Sequence, residues 1–150
     1  MQIVRATKKL LHMKMTKLAI ATFATVFGFC IAASADDVKA AASASLPPAS
    51  AKSGVTFAAD IKPIVDASCV KCHSGVKPKA GLKLDSLDGA LKGTKNGLVI
   101  VAGDSVKSIF VLSVAHVGNP DSFMPKGKGA KPLTPEQIGL IRAWIDQGAK

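Results

Sequence analysis

Residues Cys69-Val70-Lys71-Cys72-His73 read C-x-x-C-H, and no other five residues of this chain restrict its fold as much. Two thiols three positions apart, followed at once by an imidazole, are the attachment pattern of c-type haem. Each thiol can add to one vinyl group of the porphyrin, and His73 is then held against the iron as its proximal ligand. A chain carrying such a group must fold around a flat apolar plate. The remaining residues can therefore be read for what would enclose the plate and what would meet the iron from its other side.

Other uses of the pair Cys69 and Cys72 explain less. A thioredoxin-like C-x-x-C sits near a βαβ pattern, which this sequence lacks. A structural zinc site needs four ligands. Outside the N-terminal region only Cys69, Cys72, His73 and His116 are available, and His73 directly adjoins Cys72, an awkward placement for a chelate. A plain disulfide would leave His73 without a role.

The N-terminus reads as an export signal. Arg5, Lys8, Lys9, Lys14 and Lys17 occur without an acid among residues 1–17, and an uncharged apolar run extends from Leu18 to Ile31. Ala33-Ser34-Ala35 offers an A-x-A-like cleavage site, and Asp36-Asp37 follows. Residues 1–35 are thus expected to be a signal peptide. The alternative is an uncleaved membrane anchor, since the uncharged stretch from Leu18 to Ala35 is near the lower limit for a span. Phe29 replaces the small residue that precedes a lipidated cysteine, so Cys30 is read as part of the signal. Covalent haem is installed outside the cytoplasm, so a periplasmic or otherwise exported address and the C-x-x-C-H motif require each other.

Cleavage changes the charge. The full chain carries 20 basic and 10 acidic residues, a net +10. Without the five basic residues of the leader, 15 face 10 and the net charge is +5. A moderately basic exported protein suits an acidic redox partner or an anionic membrane surface. Nucleic acid is a poor partner for a chain with one Trp, no Tyr and this address.

Residues 36–54 are rich in Ala and Ser, include Pro47-Pro48, and lack a period of large apolar groups. They are expected to be a flexible spacer, with the folded domain at 55–150. Within the domain, Phe57, Ile61, Ile64, Val65 and Ser68 recur at helical spacing and lead into the motif. Pro63 should restrict that helix to a start near Asp60. A second helix is expected from Ser105 to about Ala115, with Ile109, Leu112 and Val106 inward. Residues Leu98 to Val101 could be briefly extended. The last helix has the strongest signals. Thr134 is an N-cap, Pro135 takes the first position, Gln137 completes a capping box, and Gly148 ends the helix. Its apolar stripe is Ile138, Ile141, Trp144 and Ile145. A domain of this size with few aromatics has limited core-forming capacity, and a buried haem would supply the missing apolar mass.

Two residues could meet the iron opposite His73. Met124, followed by Pro125, lies in an irregular segment, and a thioether favours the reduced metal and raises its potential. His116 is the rival, and ligation by two histidines would lower the potential. A single C-x-x-C-H implies one haem.

Further residues extend these observations into a resemblance. Phe57-x-x-Asp60-Ile61-Lys62-Pro63-Ile64 precedes the motif. Lys79-Ala80-Gly81-Leu82-Lys83-Leu84-Asp85-Ser86, Gly103-Asp104-Ser105, Met124-Pro125 and Leu133-Thr134 follow it, and Trp144-Ile145-x-x-Gly148-Ala149 closes the chain. This ordered set resembles the planctomycete-type cytochrome c domain of the class I cytochromes c over nearly all of 55–150. The resemblance implies an all-α cytochrome c fold of short helices around one covalent haem. It implies His73 as proximal and Met124 as distal iron ligand, and Trp144 as the aromatic that packs the C-terminal helix on the N-terminal one. Lys126 stands where the group often has a second Pro.

The function expected on this basis is one-electron transfer between redox proteins of the periplasm or membrane surface. Lys71, Lys77 and Lys79 beside the motif, and Lys126, Lys128 and Lys131 after the Met loop, could dock an acidic partner. An open-site haem protein, acting as a peroxidase-like enzyme or a gas-binding sensor, is the alternative. Either would require Met124 to leave the iron.

Overall fold

A computed structural model describes residues 43–150. The expected leader, 1–35, and the first part of the Ala/Ser segment lie outside the described residues. Among the described residues the chain is helical and contains no strand; a lone antiparallel bridge joins Thr94 and Gly97. No helix among them is long and apolar enough to cross a membrane.

The first helical element starts earlier than Pro63 would suggest. A π-helical turn, Phe57–Ile61, runs directly into α1, Lys62–Ser68. Proline removes one N–H and crowds the carbonyl four residues back. The wider π turn accommodates this, with the Lys62 N–H reaching back to the Phe57 carbonyl. Its start is capped reciprocally. The Thr56 hydroxyl accepts from the Ala59 N–H at 3.3 Å, and the Asp60 carboxylate accepts from the Thr56 N–H at 2.9 Å.

Short helices follow: α2, Leu87–Lys92, and α3, Ile109–Val114. Helix α4, Pro135–Asp146, has the expected capping box, with Thr134 and Gln137 bonded to each other's backbone N–H. Ile138, Ile141, Trp144 and Ile145 are all buried. Helix α4 packs against both the π turn and α3. Phe57 meets Trp144 with ring centroids 5.7 Å apart at 49°. The Trp144 Nε1–H and the Phe57 N–H both donate to the Lys150 carbonyl, at 2.8 and 3.0 Å. The two ends of the domain thus share one core, in which each fully buried large side chain contributes about 2–3 kcal/mol.

The inward face of α3 differs from the expectation. Phe110, Val111 and Val114 enter the core, Leu112 and Val106 are partly buried, and Ile109 is exposed. Packing on α4 selects the Val111/Val114 stripe, which leaves Ile109 on the wall of the cavity described below.

The segment read as a flexible spacer is also different in its described part. Leu46 is buried. The Ser50 N–H donates to the Gly139 carbonyl at 2.9 Å, and Arg142 donates to the Pro47 carbonyl. Gln147 Nε2 donates to the Lys52 carbonyl at 2.8 Å, while its Oε1 accepts from the Val55 N–H at 3.1 Å. Residues 46–55 therefore lie along α4 and are held through their backbone. Arg142 is buried and also donates from Nε to Ser105 Oγ at 3.2 Å. Ser105 in turn donates its N–H and hydroxyl to the Asp146 carboxylate, at 2.8 and 3.0 Å. A buried guanidinium without such partners would be strongly destabilising.

Candidate functional site

Helix α1 delivers the thiols. Its last turn continues through Cys69, whose N–H bonds to the Val65 carbonyl at 2.8 Å, and the chain then winds tightly so that the Cys72 and His73 N–H groups both donate to the Cys69 carbonyl, at 3.1 and 3.0 Å. The exit is tied down as well. The Leu84 N–H donates to the His73 carbonyl and the Lys79 N–H to the Cys72 carbonyl, at 2.8 and 2.9 Å. Local backbone bonding therefore sets the relative placement of the three motif side chains.

They open onto a mainly apolar cavity of about 740 Å³. Cys69, Cys72 and His73 form part of its wall. Leu82, Leu84, Leu98, Val99, Ile109, Phe110 and Val114 supply apolar surface, and Met124 and Pro125 also line it. Leu98 and Ile109, exposed to 62 and 53 %, are large apolar side chains that protein covers only in part, and both line this space.

The donor set fits a c-type haem. Cys69 and Cys72 are free thiols, Cys72 exposed and Cys69 partly buried. Burial pushes the Cys69 thiol up to about 11, so it is held as a neutral thiol. His73 Nδ1 is buried and has no hydrogen-bond partner, so no protein group has claimed that nitrogen of the ring. Three of His, Cys, Asp and Glu nowhere converge to hold a bare metal ion among the described residues.

Met124 and His116, the two rivals for the distal position, are placed differently. Met124 is partly buried on the cavity wall. His116 is exposed, lies off the cavity lining, and directs Nε2 to the Met124 carbonyl at 3.0 Å. Its ring stacks on Phe123 with centroids 4.8 Å apart and planes 6° from parallel. Met124 also donates its N–H to the Ser113 carbonyl at 3.0 Å. The sequence alone leaves His116 as a competing ligand and does not single out Ser113 and Phe123. The available signal is the spacing: His116 follows the last turn of α3 and precedes Met124 by a short loop that contains Phe123.

No curated protein and no solved structure matches the chain. Residues 69–127, from the first thiol to just past the Met124 loop, match the family model described as Planctomycete cytochrome C. The thiol pair, the adjacent histidine and the cavity-lining methionine all lie inside that stretch, so this part of the chain is similar to a planctomycete-type cytochrome c domain, a likeness that suggests a haem-containing electron-transfer protein.

Proposed function

We propose that the protein is an exported mono-haem cytochrome c that passes single electrons between redox partners, with His73 and Met124 as axial iron ligands. The observation that carries this reading is the presence of both residues, with both thiols, on the wall of one apolar cavity. A haem attached there supplies a one-electron couple. Cys69 and Cys72 would hold it by thioether bonds. His73 would donate a ring nitrogen from the α1 side. Met124 would bring a soft sulfur, which favours the reduced state. Leu82, Leu84, Phe110 and Val114 keep water away, and a low-dielectric surround limits reorganisation when charge changes. With His73 and Met124 both bound to the iron, no position would be open to a substrate, which favours electron transfer over catalysis.

The cavity rim carries Lys79 and Lys126, and Lys71, Lys77, Lys128 and Lys131 are exposed nearby in sequence. An acidic redox protein is the partner this charge suits. The single C-x-x-C-H supports one haem, and the leader-like residues 1–35 support a periplasmic or membrane-surface address.

The test is an optical spectrum of the holoprotein, ferric and ferrous, with and without CO. A low-spin ferric spectrum with the weak long-wavelength charge-transfer band of thioether ligation, and no CO response, is expected. A high-spin spectrum with ready CO binding would move the function to an open-site enzyme or gas sensor. Absence of covalent haem would overturn the reading.

A further inference from the structure

Helices α3 and α4 end in the same backbone motif. In α4 the Ala149 N–H returns to the Trp144 carbonyl and the Gly148 N–H to the Ile145 carbonyl, both at 2.9 Å. In α3 the Val117 N–H returns to the Leu112 carbonyl at 2.9 Å and the His116 N–H to the Ser113 carbonyl at 3.4 Å. This is the Schellman ending, whose turning residue adopts left-handed φ and is usually glycine. Helix α4 uses Gly148, at φ +99; α3 uses His116, at φ +56. A residue with a Cβ is disfavoured in that conformation. An unfavourable backbone state that persists is held by its surroundings, and what the side chain does there becomes the question.

The His116 side chain reaches the Met124 loop. A carbonyl oxygen can only accept, so the 3.0 Å contact to the Met124 carbonyl requires a proton on Nε2. The ring lies flat on Phe123, the residue before Met124. From the same helix end, the Ser113 carbonyl takes the Met124 N–H. Both backbone polar groups of Met124 are thus bonded to the last turn and cap of α3. That helix also supplies Phe110 and Val114 to the cavity wall.

We propose that His116 is a positioning residue for the Met124 iron ligand: from the left-handed cap of α3 it holds the Met124 carbonyl and the Phe123 ring, and so fixes how far the thioether can withdraw from the cavity. The proposal rests on Met124 being the distal ligand. His116 does not touch the iron. It limits opening of the loop, and with it the access of external ligands to the metal.

The test compares wild type with His116→Gly, His116→Asn and Met124→Leu holoproteins. Gly and Asn both accept the left-handed cap, so the helix end is retained while the ring is lost. CO association with the ferrous protein should rise about fivefold in both His116 variants, the factor expected from losing one hydrogen bond that opposes loop opening. The ferric long-wavelength band should weaken, and the Met124 amide should exchange its hydrogen faster. The Val117 amide, which reports the cap alone, should keep its protection. Wild-type CO rates and band intensity in both His116 variants would overturn the proposal. Equal loss of protection at Val117 and Met124 would reduce His116 to a helix cap and would also overturn it. The Met124→Leu protein separates the two ideas. If wild type lacks the band and Met124→Leu changes nothing, ligation by Met124 is wrong and the role of His116 falls with it. If Met124→Leu abolishes the band while the His116 variants leave it intact, only the positioning role is wrong.

Discussion

Gly139, in the middle of α4, faces the Pro48 carbonyl so closely that a Cβ on Gly139 would lie 2.6 Å from that oxygen. An interior helical glycine weakens a helix by roughly 0.5–1 kcal/mol relative to alanine, so its presence here marks a close backbone approach. Gly139→Ala should therefore destabilise the domain by about 1–2 kcal/mol despite the gain in helix propensity. Denaturant unfolding measures the loss. Limited proteolysis should show new cleavage within residues 46–54, the segment that the methyl group pushes off.

Trp144 joins the two ends of the domain through Phe57 and through its bond to the Lys150 carbonyl. Trp144→Ala should cost about 3–5 kcal/mol, the range for deleting a large buried aromatic. Far-ultraviolet circular dichroism during denaturation is the suitable readout, because the substitution also removes the sole tryptophan fluorophore.

Asp60 titrates below the usual carboxylate value of 3.8, first because the Lys52 side chain bonds to it and second because it accepts the Thr56 N–H. A folded-state value below the unfolded one adds stability that is fully present above the unfolded value and is lost as pH falls through the folded one. Asp60→Asn should therefore lower stability at neutral pH. The difference from wild type should vanish in acid below the folded-state value. Thermal unfolding of both proteins from neutral pH into strong acid checks the sign.

The cavity of about 740 Å³ leaves more than half of Leu98 and Ile109 exposed, so the polypeptide alone has an unfinished core. A haem-free Cys69→Ala/Cys72→Ala variant is expected to be poorly folded, with weak near-ultraviolet circular dichroism and a broad thermal transition. A sharp cooperative transition near that of the holoprotein would show that the protein core suffices.

Reversing charge at the rim should slow partner association. Lys79→Glu with Lys126→Glu is expected to reduce the bimolecular electron-transfer rate with an acidic partner by about tenfold at low salt. Raising ionic strength should bring variant and wild type together as screening shortens to about 8 Å near physiological salt. Stopped-flow mixing at several salt concentrations provides the measurement.

Where local chemistry decides structure, the sequence is sufficient. Thr134, Pro135, Gln137 and Gly148 delimit α4 because capping depends on residues within one turn, and Cys69, Cys72 and His73 share a wall because their spacing leaves little choice. Tertiary packing decided the rest. Residues 46–55 look like a linker because their large aliphatic side chains, Leu46 and Val55, stand only at the two ends, and the stretch between docks through backbone groups that composition does not reveal. The only hint was Gly139, and it could not name Pro48 as its neighbour. The rotation of α3 toward Val111 and Val114 depended on where α4 lay. The left-handed cap at His116 and its bond to the Met124 carbonyl cannot be read from residue types.

The contact between Phe57 and Trp144 has a kinetic side. The two rings meet only after nearly the whole domain has been gathered into one loop, and closing a loop costs chain entropy that local helix formation does not repay. Helix α4 can form its capped turns early, yet its apolar stripe stays exposed until the turn at Phe57–Ile61 arrives. Distant pairings of this kind slow folding. A ring tied to Cys69 and Cys72 and gripped by Met124 would draw together the middle of that loop beforehand, leaving a shorter chain to close. Attachment would then act as a folding pin, hastening the meeting of the two ends before any electron is carried.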